Sequence, residues 1–325
     1  MTTTATLTGF KPTGHLQLGN LLGAIRPVVA AQRRTRPVTF VADLHAMTVP
    51  HDPAELRQLT LEVAMLLLAA GVDPDRSLFY VQSQVPEHTE LHYLLECATR
   101  YGEAHRMIQF KERSSGQGTR LSLLTYPVLM AADILLHDGA EVPVGDDQRQ
   151  HLELARDVAT RFNTHYGQTF VVPRAVNPEV AARVMDLSDP TAKMSKTSGT
   201  PGTIYLLDPP EVIERKVMRA VTDSGDIVSY EPETRPGVAN LLEILAGCAG
   251  DSPSALAAGF GSYGALKRAV AEAVVATIRP IQLRFSELSR DPGYVRTVLA
   301  DGAERAHDAT AKTVHRARRA IGLVA

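Results

Sequence analysis

Pro37-Val38-Thr39-Phe40-Val41-Ala42-Asp43 is a run of apolar and β-branched residues that ends on a carboxylate. It lacks the strict alternation of a half-exposed strand and so reads as a strand buried on both faces, as in a parallel sheet. Asp43, His45 and Thr48 gather at its end, where open α/β sheets place their ligands. Upstream, Ala5 to Phe10 is a shorter β-like run, ended by Gly9 and the turn Pro12-Thr13-Gly14. A helical pattern starts near Gly19 and reaches about Arg34, with Leu18, Leu22, Ile25 and Val29 on one face. Downstream, Pro53 opens an amphipathic helix with Leu56, Leu59, Val63, Leu66, Leu67 and Ala70 on one face, Asp52 as its N-cap and Gly71 as its stop. Ser77 to Gln82 is a third strand. Strand, helix, strand, helix, strand predicts an α/β fold with a doubly wound parallel sheet.

Further along, Glu87 to Arg113 looks helical, and Lys111-Glu112-Arg113-Ser114-Ser115-Gly116-Gln117-Gly118 reads as a basic, glycine-containing loop. Leu123 to Leu136 is an apolar helix interrupted by Asp133. An acid there is expensive to bury unless it is paired or hydrogen-bonded. A helix cap or an arginine partner would explain it structurally. A buried acceptor for a ligand N–H explains it functionally, and the absence of an exposed face favours that reading. Glu141 to Val144 is a strand that runs into Gly145-Asp146-Asp147-Gln148 and a helix carrying His151 and Arg156, again pointing to the same crevice. Arg149 and Glu153 read as the solvated face of that helix, and Phe170 to Pro173 as a short strand.

The stretch Ala192 to Thr200 holds Lys193 and Lys196, with Ser195 between them and hydroxyls and a glycine after them. Compact ammonium groups on a mobile loop suit a phosphate chain, although the stretch alone reads rather as a solvated surface loop with incidental lysines. The turn after the first strand offers backbone N–H groups at a helix start to an anion, without a GxGxxG or Walker pattern behind it. Beyond Gly202, helices are expected from about Pro210 to Val221, Asn240 to Ala249, Gly264 to Leu288 and Pro292 to Ile321. This suggests a second, all-helical unit whose basic tip (Lys312, Arg316, Arg318, Arg319) is either solvated or an RNA contact.

The 325 residues are 44% hydrophobic and 22% charged, which suits a soluble chain of about two domains. A net charge of -2 argues against non-specific nucleic-acid binding, though not against a local basic patch. Cys97 and Cys248 stand far apart without a CxxC or histidine cluster, so neither a disulfide nor a zinc site is expected, and each reads as a small apolar filler on a helix. No apolar run is long enough to span a bilayer, and residues 1–6 lack a signal peptide's basic and apolar regions, which makes the cytoplasm the default.

Two loops on one crevice now invite comparison with a known family. Pro12-Thr13-Gly14-His15-Leu16-Gln17-Leu18-Gly19-Asn20 resembles the HIGH signature of class I aminoacyl-tRNA synthetases, in the degenerate form of their tryptophan members. Lys193-Met194-Ser195-Lys196-Thr197 resembles their KMSKS signature. Gly145 to Gln148 with His151 is similar to the nucleotide-ribose segment. Leu124-Thr125-Tyr126-Pro127 through Met130 to Leu136 is similar to the specificity helix of bacterial tryptophanyl-tRNA synthetases. Gly102, Arg106-Met107, Gln109 to Glu112 and Ala220 to Ser224 fit as well, so the likeness runs from about Leu7 to the C-terminus.

That resemblance implies a Rossmann catalytic domain over residues 1–200, a helical anticodon-binding domain over 201–325, and a homodimer. It implies Mg-ATP, L-tryptophan and tRNA(Trp) as partners, with Mg2+ carried by ATP, no protein metal site, no DNA and no membrane. The tryptophan carboxylate would attack the α-phosphate, release pyrophosphate and pass to the tRNA 3′ end. Positioning and charge neutralisation would dominate such catalysis. Lys193 and Lys196, with Ser195 and Met194 between them and Thr197 after, would follow charge onto pyrophosphate, while Lys111 and Arg113 help from the other side. Lys11, Pro12, Thr13, Gly19 and Asn20 would border ATP, Gly145, Asp146, Asp147 and Gln148 the ribose and amino-acid end, and Val184 would accept the adenine edge through its backbone. Asp133 matches the family's acceptor for the indole N–H, whose loss penalises phenylalanine. Tyr126, Met130, His45 and Gln109 would line that pocket, under a lid formed by Leu7.

Several positions depart from the family pattern. Gln17 replaces the first histidine of the signature, Asn20 the second, Thr197 the last serine, and Leu7 a common phenylalanine. Lys11 stands where many bacterial members have glutamine, near the α-phosphate, and suggests tolerance of tryptophan-like antibiotics such as indolmycin in a second synthetase beside a housekeeping one. The absence of Trp from the whole chain fits an enzyme made when tryptophan is scarce. Rival readings are a tyrosyl-tRNA synthetase, which Asp133 with the apolar Met130 and Leu7 disfavours, a small nucleotidyltransferase, and a regulatory paralogue without activity.

Overall fold

The computed structural model describes residues 6–114, 116–138, 141–143, 148–176, 183–196, 199–225 and 227–324. Strand β1 (Leu7–Phe10) pairs in parallel with β2 (Val38–Val41), and β2 with β3 (Leu78–Val81), in the order β1-β2-β3. β2 and β3 are buried along their whole length, which is why neither sequence alternates. β4 (Glu141–Pro143) and β5 (Arg174–Val176) form a second parallel ladder beside β1. The strand expected at Phe170 to Pro173 is displaced to β5. The Asn163 side chain instead takes the N–H groups of Thr169 and Phe170 and donates to the Phe170 carbonyl, so this backbone is tied to a helix.

The first crossover is α1 (Leu18–Asn20), a π-helical turn (Leu21–Ile25) and α2 (Arg26–Ala31). The second is α3 (Asp43–Ala46) and α4 (Pro53–Ala69), which Asp52 caps as expected by accepting from Ala54 N and Glu55 N. Then come α5 (Glu87–Glu96), α6 (Tyr101–His105), α7 (Ile108–Arg113), α8 (Leu121–Leu135) and α9 (Arg149–Tyr166). The expected continuous helix from Glu87 is therefore broken twice. Lys111, Glu112 and Arg113 belong to the last turn of α7 rather than to a loop. Cys97 caps the exposed end of α5 and fills no core, contrary to expectation, whereas Cys248 is partly covered.

The remaining helices are α10 (Pro210–Met218), α11 (Pro236–Ala249), α12 (Pro253–Ala257), α13 (Tyr263–Arg290) and α14 (Pro292–Ile321). The sheet separates two apolar clusters. Phe10, Val41, Phe79 and Val81 face the first, with α4, α10, α11 and α13, while Leu7, Phe40, Leu78 and Tyr80 face the second, with α5, α8, α9 and the middle of α14. Adjacent residues of β3 point to opposite clusters because successive side chains on a strand alternate. Both clusters run through residue 200, so the C-terminal helices complete the core of the sheet.

α14 lies directly along β3. A Cβ at Gly302 would collide with the Phe79 carbonyl oxygen, so only glycine permits this approach. The basic end of α14 then turns inward. Arg316 Nη2 donates to both Asp138 oxygens at 2.6 and 2.7 Å, and Arg318 Nη1 to Glu90 at 2.8 Å. The expected basic tip is thus half engaged in docking to α5 and the end of α8. Lys312 and Arg319 remain exposed.

Candidate active site

β1 ends in the turn Lys11-Pro12-Thr13-Gly14. Gly14 has φ +118 and its Cα faces the Lys196 carbonyl, the two features that favour glycine there. The following helix start does not offer its backbone to an anion, as its sequence had suggested. Leu18 N donates to Ile204 O at 2.9 Å, Gly19 N to Gln17 Oε1, Asn20 N to Gln17 O at 2.9 Å, and Leu21 N to Gln17 O at 3.2 Å. Gln17 itself is buried, 3% exposed. It caps α1, while its own N–H donates to Asn20 Oδ1 at 3.1 Å. That bond fixes the Asn20 amide with its Nδ2 donor end turned away from the cap.

The lysine loop closes onto this turn. Asp186 N donates to Ala192 O at 2.9 Å and Met194 N to Val184 O at 3.1 Å, and Met185 bridges Lys193, so the loop's entry and exit form a short antiparallel ladder. The Val184 carbonyl, expected to accept the adenine edge, is engaged in that ladder. The Asp186 carboxylate pins the base by accepting from Ser188 N (2.8 Å), Ser188 Oγ (2.5 Å), Thr203 Oγ1 (3.1 Å) and Thr200 Oγ1. Burial opposes its ionisation, but the Ser188, Thr200 and Thr203 bonds outweigh it and hold its pKa below the ordinary value.

At the loop tip Lys196 Nζ donates to the Lys11 carbonyl at 3.1 Å. Burial first, and the Lys11 ammonium second, push the Lys196 amine down to about 8. Lys193 is exposed, Ser195 is half-buried, and Met194 is buried beneath them. The two basic arms of the crevice are therefore Lys11 and Lys196, and Lys193 projects outward. Lys111 is exposed on α7. Gly145, Asp146, Asp147 and Thr197, and the side chain of Arg113, lie outside the described residues.

Past the ends of β2 and β3 lies the Asp133 site. Asp133, on α8, is 2% exposed. It is neither a cap nor an arginine partner: Oδ2 bonds His45 Nε2 at 2.8 Å, and Oδ1 bonds both Gln82 Nε2 at 2.7 Å and His88 Nδ1 at 2.6 Å. Burial would raise the carboxyl pKa, but the bonds and charge of His45 and then His88 prevail and hold it well below the usual carboxylate range. The His45 ring meets Tyr126 edge-on at 6.3 Å, and the Tyr126 hydroxyl bonds Gln109 Oε1 and His151 Nε2, both at 2.7 Å. Asp133, His45, Tyr126 and Gln109, all expected in one pocket, form one chain of contacts. Met130 is partly buried and Leu7 fully buried in the cluster around Phe40 and Ala132, and Gln148 stands at the N-cap of α9.

Gln82, His88 and His151 extend this network and were not anticipated as pocket groups. The strand-end rule that singled out His45 after β2 applies equally to Gln82 and His88 after β3.

A parallel sheet between helical layers, with a glycine turn after its first strand and a lysine loop bonded back onto that turn, is the architecture of class I aminoacyl-tRNA synthetases. A model described as tRNA synthetases class I (W and Y) matches residues 2–279, and the chain belongs to that family. It is 58% identical to tryptophan–tRNA ligase 1 of Streptomyces coelicolor, over 99% of this chain and 98% of that one. Tryptophanyl-tRNA synthetase of Mycoplasma pneumoniae superposes with a TM-score of 0.92 at 37% identity, covering 99% of this chain and 98% of that one. The Campylobacter jejuni enzyme, solved with ADP and tryptophan, gives a TM-score of 0.82 at 35% identity, over 98% and 100% of the two chains.

Proposed function

We propose that this chain is a tryptophan–tRNA ligase that activates L-tryptophan with ATP and transfers it to tRNA(Trp). The observation that carries the amino acid is Asp133, a buried carboxylate kept ionised by His45, Gln82 and His88 beside the Tyr126 ring. Such a group rewards a ligand N–H and penalises a ligand without one.

In the first step the tryptophan carboxylate attacks the α-phosphate and pyrophosphate leaves. Nucleophile and leaving group are both anionic, so the chain's task is to bring them together and to neutralise charge. Lys11 and Lys196 supply that charge side by side at the crevice mouth, and Lys193 and Lys111 join from exposed positions. Mg2+ enters with ATP as part of the substrate, held on phosphate oxygens as is usual for this ion.

ATP–pyrophosphate exchange measured across the standard amino acids tests the reading. Tryptophan alone should support exchange, and Asp133→Asn should lower its kcat/KM by about a hundredfold or more. Exchange driven by tyrosine would overturn the assignment.

A homodimer accounts for an exposed apolar set on adjacent elements: Tyr93, Tyr101, Ile108 and Leu121 on α5 to α8, with Met47 and Val49, whose carbonyls Arg120 binds. The helices beyond residue 201 are read as the anticodon-binding region. No helix among the described residues is long and apolar enough to cross a membrane, and the cytoplasm is the proposed location. The proximity of Lys11 to Lys196 supports a phosphate-end role for Lys11. Inhibitor tolerance is a separate claim that neither this geometry nor the relatives' names support.

A further inference from the structure

The Asp133 carboxylate has two oxygens with about two acceptor positions each. Gln82 and His88 together fill Oδ1, while His45 takes one position of Oδ2. The three donors come from three elements: His45 from α3, Gln82 from the turn after β3, and His88 from α5. His45 also meets the Tyr126 ring. Gln82 and His88 are completely buried behind the carboxylate. We propose that His88 and Gln82 are positioning residues for tryptophan: by occupying Oδ1 they turn Oδ2 toward the indole N–H. This rests on the reading of Asp133 as the indole acceptor.

Hydrogen-bond counting supports the assignment. The Tyr80 hydroxyl bonds His88 Nε2 at 3.0 Å and His137 Nε2 at 3.1 Å. It has a single proton, so it donates to one ring and accepts from the other. His88 Nδ1 faces Asp133 at 2.6 Å while its Nε2 meets the Tyr80 hydroxyl at 3.0 Å, so the ring is held from both sides with Nδ1 aimed at the carboxylate. Burial, then the charge of His88, push His137 down to about 3, which keeps it neutral. A second hydrogen bond of this kind fixes the tautomer of a functional histidine. The Gln82 amide is fixed as well, since its Nε2 end must face the carboxylate. Its buried Oε1 has no donor among the described residues, so the bond to Asp133 is what orients the amide.

Asp133 is faced by His45, His88 and the Tyr80–His137 pair, with His92 on α5 as the remaining titratable neighbour. Removing the His88 donor leaves burial opposed by fewer bonds, so the carboxyl should begin to protonate nearer neutrality.

The test is ATP–pyrophosphate exchange with tryptophan, 1-methyltryptophan and phenylalanine, over a range of pH, in the parent, His88→Leu, His88→Asn and Gln82→Leu. In His88→Leu, kcat/KM for tryptophan should fall about tenfold or more, chiefly through KM, as expected when a buried acceptor loses a charge-assisted donor. The two analogues lack the indole N–H and should change little, so discrimination narrows. The tryptophan profile should also acquire an acid limb that the parent lacks. Asn carries its donor where the ring carries Nδ1, so His88→Asn should recover most of the loss. Gln82→Leu reads the same oxygen independently should His88→Leu not fold. Equal losses for tryptophan and phenylalanine without an acid limb would reduce both residues to structural filler and overturn the proposal. A parent without tryptophan-dependent exchange would instead remove the reading beneath it.

Discussion

The side-chain amide of Gln17 donates to the main-chain carbonyl of Met194 at 2.9 Å, joining the two signature loops across 177 positions of sequence. The same amide accepts from Gly19 N and caps α1. One uncharged side chain therefore sets the helix start after β1 and fastens the lysine loop over it. The family's histidine at this position would bring charge to the crevice, whereas Gln17 is buried and acts on the protein itself.

Gln17→Ala should leave Gly19 N–H and Met194 C=O without partners and lower stability by about 1–3 kcal/mol, as for buried groups left unpaired. Adenylate formation should slow and KM for ATP should rise, because the loop that carries Lys196 loses its fastening. KM for tryptophan should stay within about twofold, since the Asp133 site lies past the ends of β2 and β3. Urea unfolding and pre-steady-state adenylate formation would check this. An unchanged ATP dependence would show that the latch does not control the loop.

Lys196 should give the enzyme an alkaline limit. Its amine is held down to about 8 from an ordinary 10.5, by burial first and Lys11 second. The ammonium that meets phosphate is therefore lost as pH rises through about 8, and KM for ATP should climb there. Between that value and the ordinary one the unfolded chain binds the extra proton, so stability rises with pH across this window as the penalty on the buried cation is relieved. Lys11→Gln removes the neighbouring cation and should move the limb upward. The pH profile of kcat/KM for ATP in parent and variant decides it, and coincident profiles would exclude coupling between the two lysines. Equal indolmycin inhibition constants for the same two proteins would dismiss the tolerance suggested by Lys11.

What was legible in the sequence follows a physical divide. β2 and β3 announce themselves because a strand buried on both faces must be apolar throughout, and α4 because Asp52, Pro53 and Gly71 punctuate it. Asp133 was legible as a buried acid but not its partners: Gln82 and His88 sit about fifty positions away, and only the fold brings the ends of β2 and β3 against α8. The anion-binding turn was misread because Gln17 satisfies the helix start from within, which no spacing rule shows. Arg316 and Arg318 looked like a solvated or RNA-facing tip because Asp138 and Glu90 are remote in sequence.

Those arginines should contribute little to RNA binding. Arg316 and Asp138 are each 41% exposed at the side chain, and such pairs contribute at most about 1 kcal/mol. Arg316→Gln should reduce stability within that limit, with a loss that shrinks in high salt, and leave KM for tRNA unchanged. Weaker tRNA binding with unaltered stability would return the residue to an RNA role.

Gly302 should be the most sensitive position of the C-terminal helices. α14 reaches β3 only because residue 302 has no side chain, and the atom a Cβ would meet is the Phe79 carbonyl oxygen, which is main chain and cannot rotate aside. Phe79 faces one core cluster and Tyr80 the other, so displacing this strand disturbs both, including the hydroxyl that holds His88. Gly302→Ala should therefore cost more than the roughly 1–3 kcal/mol of an ordinary overpacked core site. In contrast, Ala substitution at Gly293, in the exposed first turn of the same helix, should be neutral or stabilising, because alanine has the higher helix propensity. Thermal unfolding of the two variants separates close packing from a general need for glycine in α14. A Gly302→Ala protein as stable as its parent would mean that α14 does not rest on β3.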